Sequence, residues 1–178
     1  MSSSTLFTNV KILDSTGAEP FDGEVLVVDD RIAEVRRGTG DLPRDGKVVD
    51  GRGGTLMSGL CDAHTHFTDA VVQEFATGDA MRSARIYIDS GYTMCVGAAS
   101  AKARLDVVMR DAIAAGDIPG PRYLANGMEI AVTAGELVGS ITQYADGPEE
   151  MRKVVRKTVA LGVDTIKLSM SGEEITGT

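Results

Sequence analysis

Gly51-Arg52-Gly53-Gly54-Thr55-Leu56-Met57-Ser58-Gly59-Leu60-Cys61-Asp62-Ala63-His64-Thr65-His66 is the stretch on which the reading of this chain turns. It leaves a glycine cluster, runs through apolar residues and ends with the only two histidines of the chain. Residues i and i+2 of an extended strand project from one face. The spacing therefore predicts His64 and His66 side by side at the end of an apolar strand over 55–67, with Asp62 one step before them. Two neutral imidazoles on one side of a rigid strand form half the ligand set of a Zn²⁺-type site. The bland alternative is a pair of hydrogen-bonded polar residues at a strand end.

Upstream of this stretch, residues 5–57 read as β-structure. Leu6–Leu13 is a strand-like run, followed by the turn cluster Asp14-Ser15-Thr16-Gly17. Gly23–Val28 and Arg31–Val35 flank Asp29-Asp30, the pattern of a hairpin. Lys47–Asp50 is a further short strand. Closely spaced short strands indicate a small sheet domain, assigned to residues 1–56.

Downstream the rhythm changes. Strand-like segments at 55–67, 91–98, 121–125 and 163–168 alternate with helical patterns. Leu105, Val108, Met109, Ala112 and Ile113 recur at the spacing of one helix face, as do Met151, Val154, Val155 and Val159. The second of these helices opens with Asp146, Pro148, Glu149 and Glu150 and stops near Gly162, as the dipole and the proline N–H rule favour. Alternating strands and helices predict a parallel α/β sheet or barrel. Four strands are half of a (β/α)₈ barrel, which closes with eight and about 250 residues. Residues 57–178 are thus expected to be the first four βα units of such a barrel. The connection from Asn126 to Gly147 is long for a βα loop. It reads either as a border of the site or as a variable insertion.

Composition limits the partners. The 178 residues are 43% hydrophobic and 25% charged, with 18 basic against 26 acidic residues and a net charge of −8. Such a surface disfavours nucleic acid, for which phosphate-neutralising Lys/Arg clusters are needed. Cys61 and Cys95 lie in apolar strand-like runs and are expected to be buried free thiols of a reducing compartment. No apolar run is long enough for a membrane span, and Met1–Thr5 lacks the pattern of a signal peptide. The expectation is a cytoplasmic protein without membrane contact.

One further residue carries chemistry. Lys167 lies near the end of the apolar segment Asp164-Thr165-Ile166-Lys167-Leu168-Ser169. A buried ammonium is costly. One solution is addition of CO₂ to the neutral amine, which gives an anionic carbamate able to bind metal. The other is a lysine that snorkels to solvent.

Together these residues resemble the amidohydrolase superfamily. The resemblance rests on the glycine-marked turn, the His64-x-His66 strand end, the hairpin around Asp29-Asp30 and the Lys167 segment. Ser58 stands where proline is usual in that family, and Cys61 where an aliphatic residue is usual; neither position is a ligand there. Lys167 and the Tyr144–Glu150 lead-in are similar to the prolidase-like and imidazolonepropionase-like branches, whose relatives hydrolyse N-acyl amino acids, Xaa-Pro dipeptides and amide xenobiotics such as ochratoxin.

The resemblance implies a β-sandwich preceding a metal-dependent hydrolase barrel. It implies His64, His66 and a carboxylated Lys167 as ligands of two divalent ions, zinc first among them. Hydrolysis of a small-molecule amide or dipeptide C–N bond by a metal-bridged hydroxide would follow. No catalytic residue is assigned within the chain, because the general-base aspartate of the family follows strand eight. The remaining ligands would come from the rest of the barrel, so the 178 residues are expected to be inactive alone. They read as a piece of a longer polypeptide, or as a chain completed by a homo-oligomer partner. The alternatives are a cyclic-amide hydrolase of the imidazolonepropionase type and a non-catalytic binding or assembly module.

Overall fold

A computed structural model describes residues 3–66, 77–135 and 141–170. The chain is a mixed α/β fold that divides into two compact units, Met1–Ser58 and Gly59–Thr178. Residue 67 of the expected 55–67 strand, residues 136–140 of the long connection and the end of the chain after Met170 lie outside the described residues.

The first unit is a five-stranded sheet ordered β3-β2-β1-β4, with β5 also on β1. Its strands are β1 Ser4–Leu13, β2 Phe21–Val28, β3 Arg31–Arg37, β4 Lys47–Asp50 and β5 Thr55–Met57. β2 and β3 form the hairpin expected around Asp29-Asp30, with Val28 opposite Arg31. β1 gains one residue over β2 between Phe7 and Val10. Asn9 takes the positive φ of 53° there. That extra residue lets Phe7, Val10 and Ile12 pack on one face with Val25 and Leu56. Gly51–Gly54 is a turn that steps over the same irregularity, because β4 and β5 pair in parallel with successive stretches of β1. The glycine cluster thus closes a sheet and opens no helix.

In the second unit β6 Leu60–Thr65, β7 Tyr92–Gly97 and β8 Arg122–Leu124 form a parallel sheet in that order. The helices among its described residues are α1 Thr77–Asp89, α2 Leu105–Ala115 and α3 Pro148–Val159. Ala84 of α1 and Met109 of α2 pack with Cys95, Ile118 and Tyr123 in a core against this sheet. Full burial of side chains of this size contributes about 1.5–3 kcal/mol each for the larger ones. The segment 163–167 runs beside the end of β8. The Asp164 and Thr165 N–H groups both donate to the Ala125 carbonyl, at 2.8 and 3.1 Å. Farther on, β11 Leu168–Ser169 pairs in parallel with β9 Glu129–Ala131.

Several expectations need correction. The strand over 55–67 is two strands, β5 in the first sheet and β6 in the second. They part at Ser58-Gly59, where a Cβ on Gly59 would sit 2.1 Å from Thr93 Oγ1. The long connection contains two short strands that sequence reading missed, β9 and β10 Thr142–Tyr144, paired in parallel. The α2 face is rotated: Val107 and Asp106 are buried, whereas Val108 is exposed. Asp106 goes inward because its carboxylate accepts the Tyr123 hydroxyl at 2.6 Å and the Asn126 N–H at 3.2 Å. In α3 Thr158 is buried and Val159 exposed; Thr158 returns its hydroxyl to the Val154 carbonyl. Cys61 is exposed and only Cys95 is buried.

Candidate metal centre

The parallel pairing of β6, β7 and β8 brings their C-terminal ends to one side. His64 ends that strand run with Thr65, and His66 follows directly. The two rings meet: His64 Nε2 and His66 Nε2 are 3.0 Å apart, with ring centroids 5.0 Å apart and planes tilted by 49°. Both side chains are exposed, whereas Thr65 between them is buried.

The alternation that places them this way is not the plain i, i+2 pattern. Asp62 pairs with Cys95 and Thr65 with Gly97, so β6 spends three residue steps where β7 spends two. Paired residues of parallel strands share a face. Asp62 and Thr65 therefore both lie on the helix-facing side with Cys95, and the imidazoles flank Thr65 on the other. Asp62 does not share the face of the histidines, as the simple spacing implied. Its Oδ1 accepts the His64 N–H at 3.0 Å.

Asp62 sits in a small polar cluster with Thr65 and Tyr87 of α1. Thr65 Oγ1 and Tyr87 Oη are 3.3 Å apart. Burial pushes the Asp62 carboxyl upward, but hydrogen bonds from the His64 N–H, Thr65 and Tyr87, with the His64 ring nearby, outweigh it and hold the group below the ordinary carboxylate range. Burial raises Tyr87 in turn, and it pushes the Cys95 thiol up to about 11.

Lys167 is half-buried on the fourth segment, directly before β11. Its carbonyl accepts the Ile130 N–H at 3.0 Å. The geometry brings the two histidines together, and among the described residues the Lys167 side chain makes no hydrogen bond with either imidazole. Asp164 anchors the segment that leads to Lys167: Oδ2 accepts the Ala125 N–H at 2.8 Å and a hydrogen bond from Arg110 Nη1 at 2.7 Å. Thr165 receives Asn126 Nδ2 at 2.8 Å. This anchoring was missed from sequence, since a polar residue at a strand start carries no distinctive spacing.

The imidazole pair fits a metal ion. Metal–nitrogen bonds of about 2.0–2.1 Å set two ligating nitrogens about 2.9 Å apart at a right angle and about 3.3 Å apart at the tetrahedral angle. The observed 3.0 Å lies in that interval. No group of three or more His, Cys, Asp or Glu suited to a metal occurs among the described residues, so the pair needs further ligands of another kind or from elsewhere.

Solved structures share this parallel βα arrangement. The chain superposes on an amidohydrolase crystal structure with a TM-score of 0.80 at 23% identity, covering 96% of this chain and 49% of that one. It superposes on a putative prolidase from Bifidobacterium longum with a TM-score of 0.77 at 28% identity, covering 93% and 40%. Ochratoxinase from Aspergillus niger is 28% identical over 195 residues, 86% of this chain and 39% of that protein. The amidohydrolase family model matches residues 55–173. The chain belongs to the amidohydrolase family, whose members are generally metal-dependent hydrolases. It spans about two-fifths to one-half the length of these relatives.

Proposed function

We propose that this chain supplies the first part of a binuclear metal-dependent amide hydrolase. In this reading residues 1–56 contribute to a β-sandwich and residues 57–178 form the first four βα units of a (β/α)₈ barrel. The parallel order β6, β7, β8, with segment 163–167 bonded to Ala125 just after β8, supports it, since successive barrel strands are neighbours. The single observation that carries the proposal is the 3.0 Å approach of His64 Nε2 to His66 Nε2 at the carboxyl end of the first of these strands.

His64 and His66 would hold one ion of a divalent pair, zinc first among the candidates. Lys167, as its CO₂-derived carbamate, would bridge the two. When bound, such a pair acidifies a water molecule and polarises the scissile carbonyl. The chain's own part is positional. The β6 irregularity aims the imidazoles, and Asp164 and Thr165 fix the segment that carries Lys167. The general base and remaining ligands would come from the rest of a longer polypeptide or from a homo-oligomer partner. A reducing, cytoplasmic setting suits the free thiols Cys61 and Cys95.

The substrate class follows from the relatives. One solved structure that this chain resembles at 25% identity is a prolidase bound to N-methylphosphonate-L-proline, and ochratoxinase is a curated relative. These favour an amide or dipeptide with a carboxylate-bearing residue over a cyclic amide. The test uses the natural polypeptide that carries these residues. Metal content and turnover of Xaa-Pro dipeptides, N-acyl amino acids and hydantoin-type rings are measured with and without added CO₂. Two metal equivalents with CO₂-dependent turnover of the linear amides support the proposal. A metal-free protein, or turnover confined to the cyclic compounds, contradicts it.

A further inference from the structure

The irregularity in β6 has a direct physical cost. An extra residue in one strand leaves a backbone group outside the ladder, bends the strand and re-aims the side chains that follow. Here the extra residue falls between Asp62 and Thr65, immediately before the second histidine. Suppose β6 were regular after Asp62, which pairs with Cys95 on the helix-facing side. Positions 64 and 66 would then alternate onto that same side, toward Tyr87 and the apolar core around Cys95. The added residue turns both imidazoles to the opposite side. A second irregularity of opposite sense precedes it: Leu60 pairs with Tyr92 but Cys61 with Met94, so β7 carries the surplus residue there. The shift at the histidines is therefore local, and the strand rejoins its partner where Thr65 faces Gly97.

Such a kink leaves a backbone N–H to find an acceptor outside the ladder, and a hydrogen bond made there contributes about 0.5–1.5 kcal/mol net. Asp62 supplies the acceptor, with Oδ1 3.0 Å from the His64 nitrogen. Its carboxylate is itself held by Thr65 and by Tyr87, which reaches across from α1. Tyr87 is fixed in turn by edge-on packing against Tyr92, with centroids 5.5 Å apart.

We propose that Asp62 is a positioning residue for the imidazole pair: its carboxylate locks the β6 bulge that swings His64 and His66 away from the helix layer and brings their Nε2 atoms together. The proposal rests on the reading of that pair as metal ligands, and it adds the device that sets their geometry. In this role Asp62 acts through the two histidines and is not itself a ligand.

The experiment titrates Co²⁺ into the natural polypeptide carrying these residues, followed by visible absorption. Wild type is compared with Asp62→Ala, Asp62→Asn, His64→Ala and His66→Ala. Loss of a residue that orients a ligand costs about 10–100-fold in metal affinity. Asp62→Ala is expected to weaken Co²⁺ binding by that factor and to change the absorption envelope. Asp62→Asn, whose amide oxygen still accepts the His64 N–H, is expected to stay within about threefold of wild type on the same grounds. An Asp62→Ala protein with wild-type affinity and spectrum overturns the proposal, and so does an Asp62→Asn protein that falls as far as Asp62→Ala. Amide hydrogen exchange at His64 in the wild-type protein supplies a readout that no variant's folding can obscure. Protection supports the lock, and free exchange overturns it. If wild type, His64→Ala and His66→Ala take up Co²⁺ alike, the metal-ligand reading fails, and the exchange result still decides whether Asp62 holds the bulge.

Discussion

Replacing Glu24 gives the sharpest test of how the first sheet is held. Glu24 lies on β2 with no exposed side-chain surface, yet it is charged. It accepts Thr8 Oγ1 at 2.5 Å, the Gly40 N–H at 3.0 Å and Arg44 Nη2 at 2.6 Å, and Leu42 adds a backbone bond. Burial alone would raise its pKa, but these bonds together outweigh burial and hold the carboxyl below the ordinary glutamate value. The same contacts pin the loop of residues 38–46 over the sheet, where Leu42 is buried. A hydrogen bond to a charged group contributes about 1.5–3 kcal/mol net, and one to a neutral group about 1. Glu24→Gln keeps the acceptor oxygen for Thr8 or Gly40 and loses the charge facing Arg44, so about 1–2 kcal/mol should go. Glu24→Ala loses every bond and should cost about 2–4 kcal/mol. Arg44 is 45% exposed and can return to water. The loss therefore stays below the upper end of the roughly 3–5 kcal/mol seen when a fully buried charge is orphaned.

The pH dependence follows from the sign of the shift. A carboxyl depressed in the folded state stabilises fully above its unfolded value, about 4.3 for glutamate. That contribution is lost as pH falls through the lower folded value. Urea unfolding followed by far-ultraviolet circular dichroism should show the gap between wild type and Glu24→Gln at pH 7 shrinking steadily below pH of about 4. A Glu24→Gln protein within about 0.5 kcal/mol of wild type at pH 7 would refute the reasoning. A gap that ignores pH would do so equally.

Two further outcomes follow from the second unit. A Cβ on Gly97 would fall 2.4 Å from Asp106 Oδ2 and 2.8 Å from Tyr123 Oη. Gly97→Ala should therefore destabilise by about 1–3 kcal/mol or more by overpacking, and an unchanged urea midpoint would contradict the tight approach. Cys61 is exposed while Cys95 is buried with its thiol raised to about 11. Thiol reagent at neutral pH should modify Cys61 rapidly and Cys95 only on unfolding; peptide mapping that finds equal labelling of both would contradict this.

Much of this was legible in the sequence where local chemistry and periodicity agree. The Asp29-Asp30 hairpin, the βα rhythm after residue 59 and the Pro148–Glu150 helix start each rest on residues whose preference matches their place. The rest depended on pairing between distant strands. Nothing local marks the extra residue between Asp62 and Thr65, because it is defined by register against Cys95 and Gly97. Likewise β9 and β10 are three residues each, too short for a period to show. Val108 and Val159 satisfy helical spacing but lose the inward positions to Asp106 and Thr158, polar residues that find partners inside. The proximity of the two imidazoles could be expected; the turn of the strand that produces it could not.

The most direct test of the central claim is anomalous diffraction from metal-loaded crystals of the natural polypeptide that carries these residues. The account predicts two metal peaks. His64 and His66 nitrogens should bind one at about 2.0–2.1 Å, and extra density on Lys167 Nζ should bridge both as a carbamate. A single peak remote from the pair, or an unmodified Lys167 pointing into solvent beside an occupied site, would contradict it.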